Sequence, residues 1–194
     1  MPAVALKTSP RAAFGLTTQP QSCVDTAGRL FAALAPLHRL GGKDEALLAR
    51  AGAGYRFIRA MHPFGDNERS LMRIALADLS VAESLVVQAC ANCVADLGFE
   101  EERGTWSQLS DDDQRRVLWF SAVLRLAESI DAVRHRNAGA IHVVWTDEVL
   151  HIEIDGAAWS EHDIERVRGR RAALEAISER MVIFTSSGRR RGAA

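Results

Sequence analysis

The chain has almost no lysine: of its 24 basic residues only Lys7 and Lys43 are lysines, and 22 are arginines. No stretch approaches the ~20 consecutive apolar residues of a membrane-spanning helix, so no membrane partner is expected. Charge of one sign is also missing. Twenty-four basic and 25 acidic residues leave a net charge of −1, which gives no global field for DNA, RNA or anionic lipid. Nucleic acid is therefore not an expected partner, and any polyanion must be held by a local patch. Three cysteines, an odd number, make no disulfide framework, and without a secretory signal the expected compartment is the cytoplasm. Of the six histidines (38, 62, 135, 142, 151 and 162) only His162 precedes an aspartate, Asp163 at the start of a predicted helix, and none forms an H-x-x-x-H or H-E-x-x-H pattern. No G-x-x-x-x-G-K-[ST], G-x-G-x-x-G or G-x-S-x-G occurs either. No metal or cofactor is expected.

What is present describes a folded globular chain. At 194 residues, 47% hydrophobic and 25% charged, it can bury ~70% of the surface its unfolded form exposes. The arginine excess has two readings. A GC-rich genome encodes Arg in place of Lys, or the planar guanidinium serves phosphate and carboxylate recognition.

Residues 1–22 hold three prolines and no acid, and predict a flexible tail. Val24, Ala27, Leu30, Phe31, Leu34 and Leu37 then follow helical spacing, with Pro36 bending the last turn and Gly41-Gly42 ending it. Asp44 is placed as the cap of a helix bearing Leu47, Leu48, Ala51, Tyr55 and Ile58. Asp66 opens a third through Leu71, Ile74 and Leu76. Ser80 with Glu83 makes a capping box for an apolar helix ending at Gly98. Ser110 and three aspartates open a longer helix through Val117, Leu118, Phe120, Leu124, Ile130 and Val133. Its acidic start and its basic end at Arg134, His135 and Arg136 both suit the helix dipole.

Beyond Asn137 the period falls to two. With Asp147-Glu148 as a two-residue loop, Trp145 faces Leu150, Val143 faces Ile152 and Ile141 faces Ile154, so all six share one face. Trp145 is expected to fill the core there. His142 then opposes Glu153 on the other face. A last helix from Ser160 carries Ile164, Val167, Leu174 and Ile177, and Met181 to Phe184 reads as a third strand. The expected class is α+β, mostly α: a tail over 1–22, a helical domain over 23–137, a small β-β-α-β subdomain over 138–187, and a basic tail over 188–194.

Cys90 and Cys93 form one C-x-x-C inside an apolar helix, with no second pair to complete a zinc set. They read as buried thiols. Gly52-Ala53-Gly54 falls within helical spacing and reads as close helix packing. The C-terminal Arg triplet has no interleaved aromatic and reads as a solvated tail.

The stretch Leu118-Trp119-Phe120-Ser121-Ala122-Val123-Leu124-Arg125-Leu126-Ala127-Glu128-Ser129-Ile130-Asp131, followed by Arg134-His135-Arg136, resembles a helix of the exopolyphosphatase/guanosine-pentaphosphate phosphatase (Ppx/GppA) family. It resembles the LLRLAEALD-x-x-R segment of that family's C-terminal helical domain, which is related to HD-domain phosphohydrolases. Arg29-Leu30-Phe31, Leu37-His38-Arg39-Leu40-Gly41 and Asp78-Leu79-Ser80 with Glu83 extend the resemblance, to about residues 24–185. It implies an HD-like helical bundle. The metal motif is degenerate: Ala51-Gly52-Ala53-Gly54-Tyr55 stands where related HD domains carry His-Asp. Phe64 to Ser70 and Asn92-Cys93-Val94 likewise lack the expected histidines, and Glu128 alone remains of the acidic ligands. A catalytic metal needs about three protein ligands. The family's catalytic actin-like domain has no counterpart.

The resemblance therefore implies a stand-alone, accessory binding protein without a catalytic site of its own. Its expected partners are polyphosphate, guanosine polyphosphate, or a protein, a second copy included. Candidate anion contacts are Arg125, Arg134, His135 and Arg136, with Arg56, Arg59 and Arg73 as further candidates. Glu128 and Asp131 stand as a remnant acidic site, or as partners of neighbouring arginines. The alternative is a phosphohydrolase of anhydrides or esters with a divergent site.

Overall fold

A computed structural model of the chain describes residues 20–61, 76, 78–95, 106–133, 140–155 and 160–187. Five helices come first: α1 (Pro20–Ala33), α2 (Ala35–His38), α3 (Gly42–Met61), α4 (Val81–Ala95) and α5 (Asp111–Val133). Then come β1 (Ile141–Trp145), β2 (Val149–Asp155), α6 (Glu161–Arg168), α7 (Ala172–Ser178) and β3 (Met181–Ser187). The fold is α+β and mostly α. The helix expected from Asp66 lies outside the described residues, as do Gly98 and both tails except for the first residues of α1. None of the described helices is long and apolar enough to cross a membrane.

Helix starts follow their capping residues. Ser80 N–H donates to Glu83 Oε2 at 2.8 Å while Glu83 N–H returns to Ser80 Oγ at 3.3 Å. Ser110 Oγ takes the Asp113 N–H at 3.2 Å, and Ser160 with Asp163 closes a full capping box. Asp44 plays a different part from the one expected. The helix starts earlier, at Gly42, and Asp44 reaches back to accept the Gly41 N–H at 2.8 Å. Its other oxygen takes Arg116 Nε of α5 at 2.9 Å, so one carboxylate both caps α3 and fastens it to α5.

The first helix also departs from expectation. It breaks at Leu34, Pro36 sits in the opening turn of α2, and Arg39 in left-handed backbone (φ 57°) ends α2 ahead of the glycines. The expected single last helix is two. Gly169 closes α6, and the Arg170 and Arg171 N–H groups turn back to Val167 and Arg168 before α7 begins.

The sheet order is β1-β2-β3, antiparallel then parallel. The hairpin takes the expected register: Ile141 opposite Ile154, Val143 opposite Ile152, Trp145 opposite Leu150, and His142 opposite Glu153. Asp147-Glu148 is poor turn chemistry, and the flanking residues compensate. Thr146 Oγ1 accepts the Glu148 and Val149 N–H groups, and Arg180 Nε holds the Thr146 carbonyl at 2.8 Å.

One buried cluster runs from Ala27, Leu30 and Leu34 of α1 through Phe120, Leu124 and Ile130 of α5 to Leu150, Ile152, Ile154, Val182 and Phe184 of the sheet. Helix α5 is its axis, contacting α1, α3, α4, α6 and α7. Gly52 of α3 allows the closest approach, because a Cβ there would stand 3.0 Å from Leu124 Cδ2 and 3.4 Å from Val24 Cγ2. Two apolar positions fall outside the expected core: Leu118 is 47% exposed and Trp145 is 38% exposed. β1 is an edge strand, so Trp145 is covered on one side only. Trp145→Ala should therefore cost ~1–1.5 kcal/mol, below the ~3–5 kcal/mol of a fully buried tryptophan. Urea unfolding of the variant measures it.

Candidate functional site

The α5 stretch that carries the family resemblance presents Arg125, Glu128 and Asp131 at successive steps of three, a stripe along one side of the helix. All three side chains are half-buried. The stripe is built into the bundle at both ends. Arg125 donates Nη2–H to the Cys93 carbonyl of α4, and Asp131 Oδ1 accepts the hydroxyl of buried Thr26 of α1 at 2.8 Å. Glu128 lies between these two fastenings. Arg73, Arg134, His135 and Arg136 lie outside the described residues, while Arg56 and Arg59 both belong to α3, Arg56 half-buried.

The C-x-x-C of α4 borders this stripe. Cys90 is fully buried, and burial pushes its thiol well above the ordinary cysteine range, with Cys93 beside it adding to the shift. A thiol held protonated is a poor nucleophile and a poor metal ligand. Cys93 is half-buried, more open than expected. Among the described residues no three His, Cys, Asp or Glu side chains gather as a metal cage.

A second polar centre was not expected from the sequence. His38, fully buried, stacks on Phe31 with ring centroids 4.0 Å apart and meets Trp119 edge-on at 5.6 Å. Its Nδ1 accepts the Leu40 N–H at 2.9 Å, so its Nε2 carries the proton and donates to the Phe31 carbonyl at 2.8 Å. Burial lowers its pKa, against the opposing pull of the Phe31 carbonyl and of Asp44. Close by, Arg115 donates to the His38 carbonyl at 3.3 Å, and Arg116 bridges Asp44 and Asp113. The hydrogen bond to Asp113 first, and the nearness of Asp44, raise the Arg116 pKa. A lone histidine on an apolar helix face gives no sequence signal that separates such a core group from a ligand.

The sheet has a third feature. Its outer face carries Val144, His151 and Ile183 in one cross-strand row, with Val144 63% and Ile183 37% exposed. Beside them His142 Nε2 lies 3.2 Å from Asp155 Oδ2, and His151 Nε2 lies 2.7 Å from Thr185 Oγ1. A shallow depression where α6 meets α7 is lined by Glu165, Arg168, Arg171 and Ile183. Its arginines are paired, Arg168 with Glu165 at 2.6 Å and Arg171 with Glu175 at 3.2 Å.

The chain matches no family model and no curated protein. The functional reading therefore rests on the residues themselves.

Proposed function

We propose that this chain is a binding protein, akin to the C-terminal helical domain of exopolyphosphatases and guanosine-pentaphosphate phosphatases, with no hydrolytic activity of its own. On this reading it works in the cytoplasm in an accessory role, taking polyphosphate or guanosine polyphosphate as ligand. The observation that supports it is the engagement of both neighbours of Glu128. Arg125 holds the Cys93 carbonyl and Asp131 holds Thr26, so the stripe that would have to reorganise around a catalytic metal instead joins three helices. The basic residues Arg134, His135 and Arg136 follow that helix in sequence and are the anion contacts of this reading. A protein partner is the second reading, favoured by the exposed Val144 and Ile183 on the sheet.

Polyphosphate or guanosine tetraphosphate should raise the melting temperature of the protein, since a ligand that binds only the folded state stabilises it. Arg134→Ala and Arg136→Ala should weaken that shift, and added salt should weaken it further. Incubation with Mn²⁺, Mg²⁺ or Co²⁺ and the same compounds should release no phosphate. Phosphate release abolished by Glu128→Ala would replace this reading with a divergent phosphohydrolase.

A further inference from the structure

Among the described residues β1 forms one edge of the sheet; α1 packs against it, and β1's own sequence carries no device that guards that edge. Its pairing with β2 is unbroken from Ile141 to Trp145, so it has no bulge, and Ile-His-Val-Val-Trp contains no proline, lysine or acid. Such devices are the usual defence of an exposed strand. The opposite edge has one: Glu175 Oε1 accepts the outward N–H of Val182 at 3.0 Å.

The ladder fixes which β1 groups face outward. Thr146 N–H donates to the Val149 carbonyl at 2.8 Å and Asp155 N–H to the Ala140 carbonyl at 2.9 Å. Antiparallel pairs alternate between bonded and non-bonded, so the even-numbered residues of β1 bond to β2. The N–H and C=O groups of Ile141, Val143 and Trp145 point away from it. Among the described residues no group bonds to these outward amides.

We propose that β1 pairs with β1 of a second copy of this chain, antiparallel about a twofold axis through Val143, to form one continuous six-stranded sheet. In this register Val143 meets its own counterpart and Ile141 meets the partner's Trp145. Each outward donor then faces an outward acceptor. The two exposed apolar side chains of β1 are covered by the same step. Val144, 63% exposed, becomes the diagonal neighbour of the partner's Val144, and Trp145, 38% exposed, lies across from the partner's Ile141. An unrelated extended segment would satisfy the backbone alone. A second copy also supplies a matching aromatic and β-branched pair at both ends, as twofold symmetry requires. Five residues from each copy make a small interface, so the dissociation constant should be in the ~micromolar range. The inference depends on β1 alone and stands apart from the anion-binding reading.

Sedimentation velocity from ~1 to ~300 μM protein should show a monomer–dimer equilibrium. Val143→Pro removes an outward donor that the β1–β2 ladder does not use, and Val144→Lys sets two like charges diagonally across the junction. Each should raise the dimer dissociation constant at least ~10-fold while the circular dichroism spectrum stays unchanged. Should Val143→Pro fail to fold, Val144→Lys decides the question, because that side chain is mostly solvent-exposed. A chain monomeric throughout the range, or a dimer indifferent to Val144→Lys, overturns the proposal.

Discussion

Phe120→Ala should lower the free energy of unfolding by ~3–5 kcal/mol, the largest effect expected of a single side-chain truncation in this protein. Phe120 is fully buried at the middle of α5, the helix that contacts α1, α3, α4, α6 and α7, and its ring meets Phe31 of α1 edge-on at 5.9 Å. Removing it leaves a cavity between α1 and α5 that helices fastened at Thr26–Asp131 and Asp44–Arg116 cannot readily collapse to fill. At roughly 2–4 °C per kcal/mol for a chain of this size, the melting temperature should fall by ~6–20 °C. Leu118→Ala is the control on the same helix. Leu118 is 47% exposed, and its truncation should cost under ~1 kcal/mol. Equal costs at the two positions would mean that the buried side of α5 is wrongly placed.

His38→Ala should cost ~2–4 kcal/mol, and its signature is a change in pH dependence. Truncation removes the stacking on Phe31 and leaves the partly buried Leu40 N–H without its acceptor. Because burial lowers the His38 pKa below its ordinary 6.5, the unfolded chain takes up a proton at a pH where the folded chain does not. Stability from this group is therefore complete above about pH 6.5 and falls as the pH drops below it. Thermal unfolding between pH 7.5 and 5.5 should show the wild type losing stability more steeply than His38→Ala. Parallel profiles would show that His38 does not stay neutral inside the folded protein.

The sequence made the hairpin legible because period-two alternation allows a single register that puts six apolar residues on one face, and a one-residue slip would expose them all. The helix starts at Ser80, Ser110 and Ser160 were legible for a similar reason, since a cap is local and its partner lies three residues on. Periodicity does not say how much of a face is covered. Trp145 and Leu118 lie on apolar stripes yet stand partly in water, one because its strand is at an edge and the other because α5 has more apolar positions than neighbours to bury them. The break at Gly169 was missed because Val167 and Leu174, seven residues apart, keep helical phase across it.

The candidate site was legible only as a list of residues. Arg125, Glu128 and Asp131 were singled out by their place in one helix, but what they do depends on Cys93 and Thr26, which are 32 and 105 residues away from their partners. No local pattern encodes such long-range contacts. His38 escaped for the same reason: its neighbours Phe31 and Leu40 are close in sequence, but the third wall, Trp119, belongs to α5.

The central strand of the sheet pairs with its two neighbours at very different separations along the chain. β1 and β2 are joined by the three residues Thr146 to Glu148, whereas β2 and β3 align Val149 with Met181 across the whole α6–α7 crossover. Closing the longer loop costs more chain entropy and comes later. During synthesis from the N-terminus, the hairpin can form while Val182 and Phe184, both core residues, are still inside the ribosome. Until they emerge, Leu150, Ile152 and Ile154 have a partner strand on one side only. The nascent protein thus passes through a stage in which its central strand is open to any extended segment nearby, and arrival of β3 closes that window.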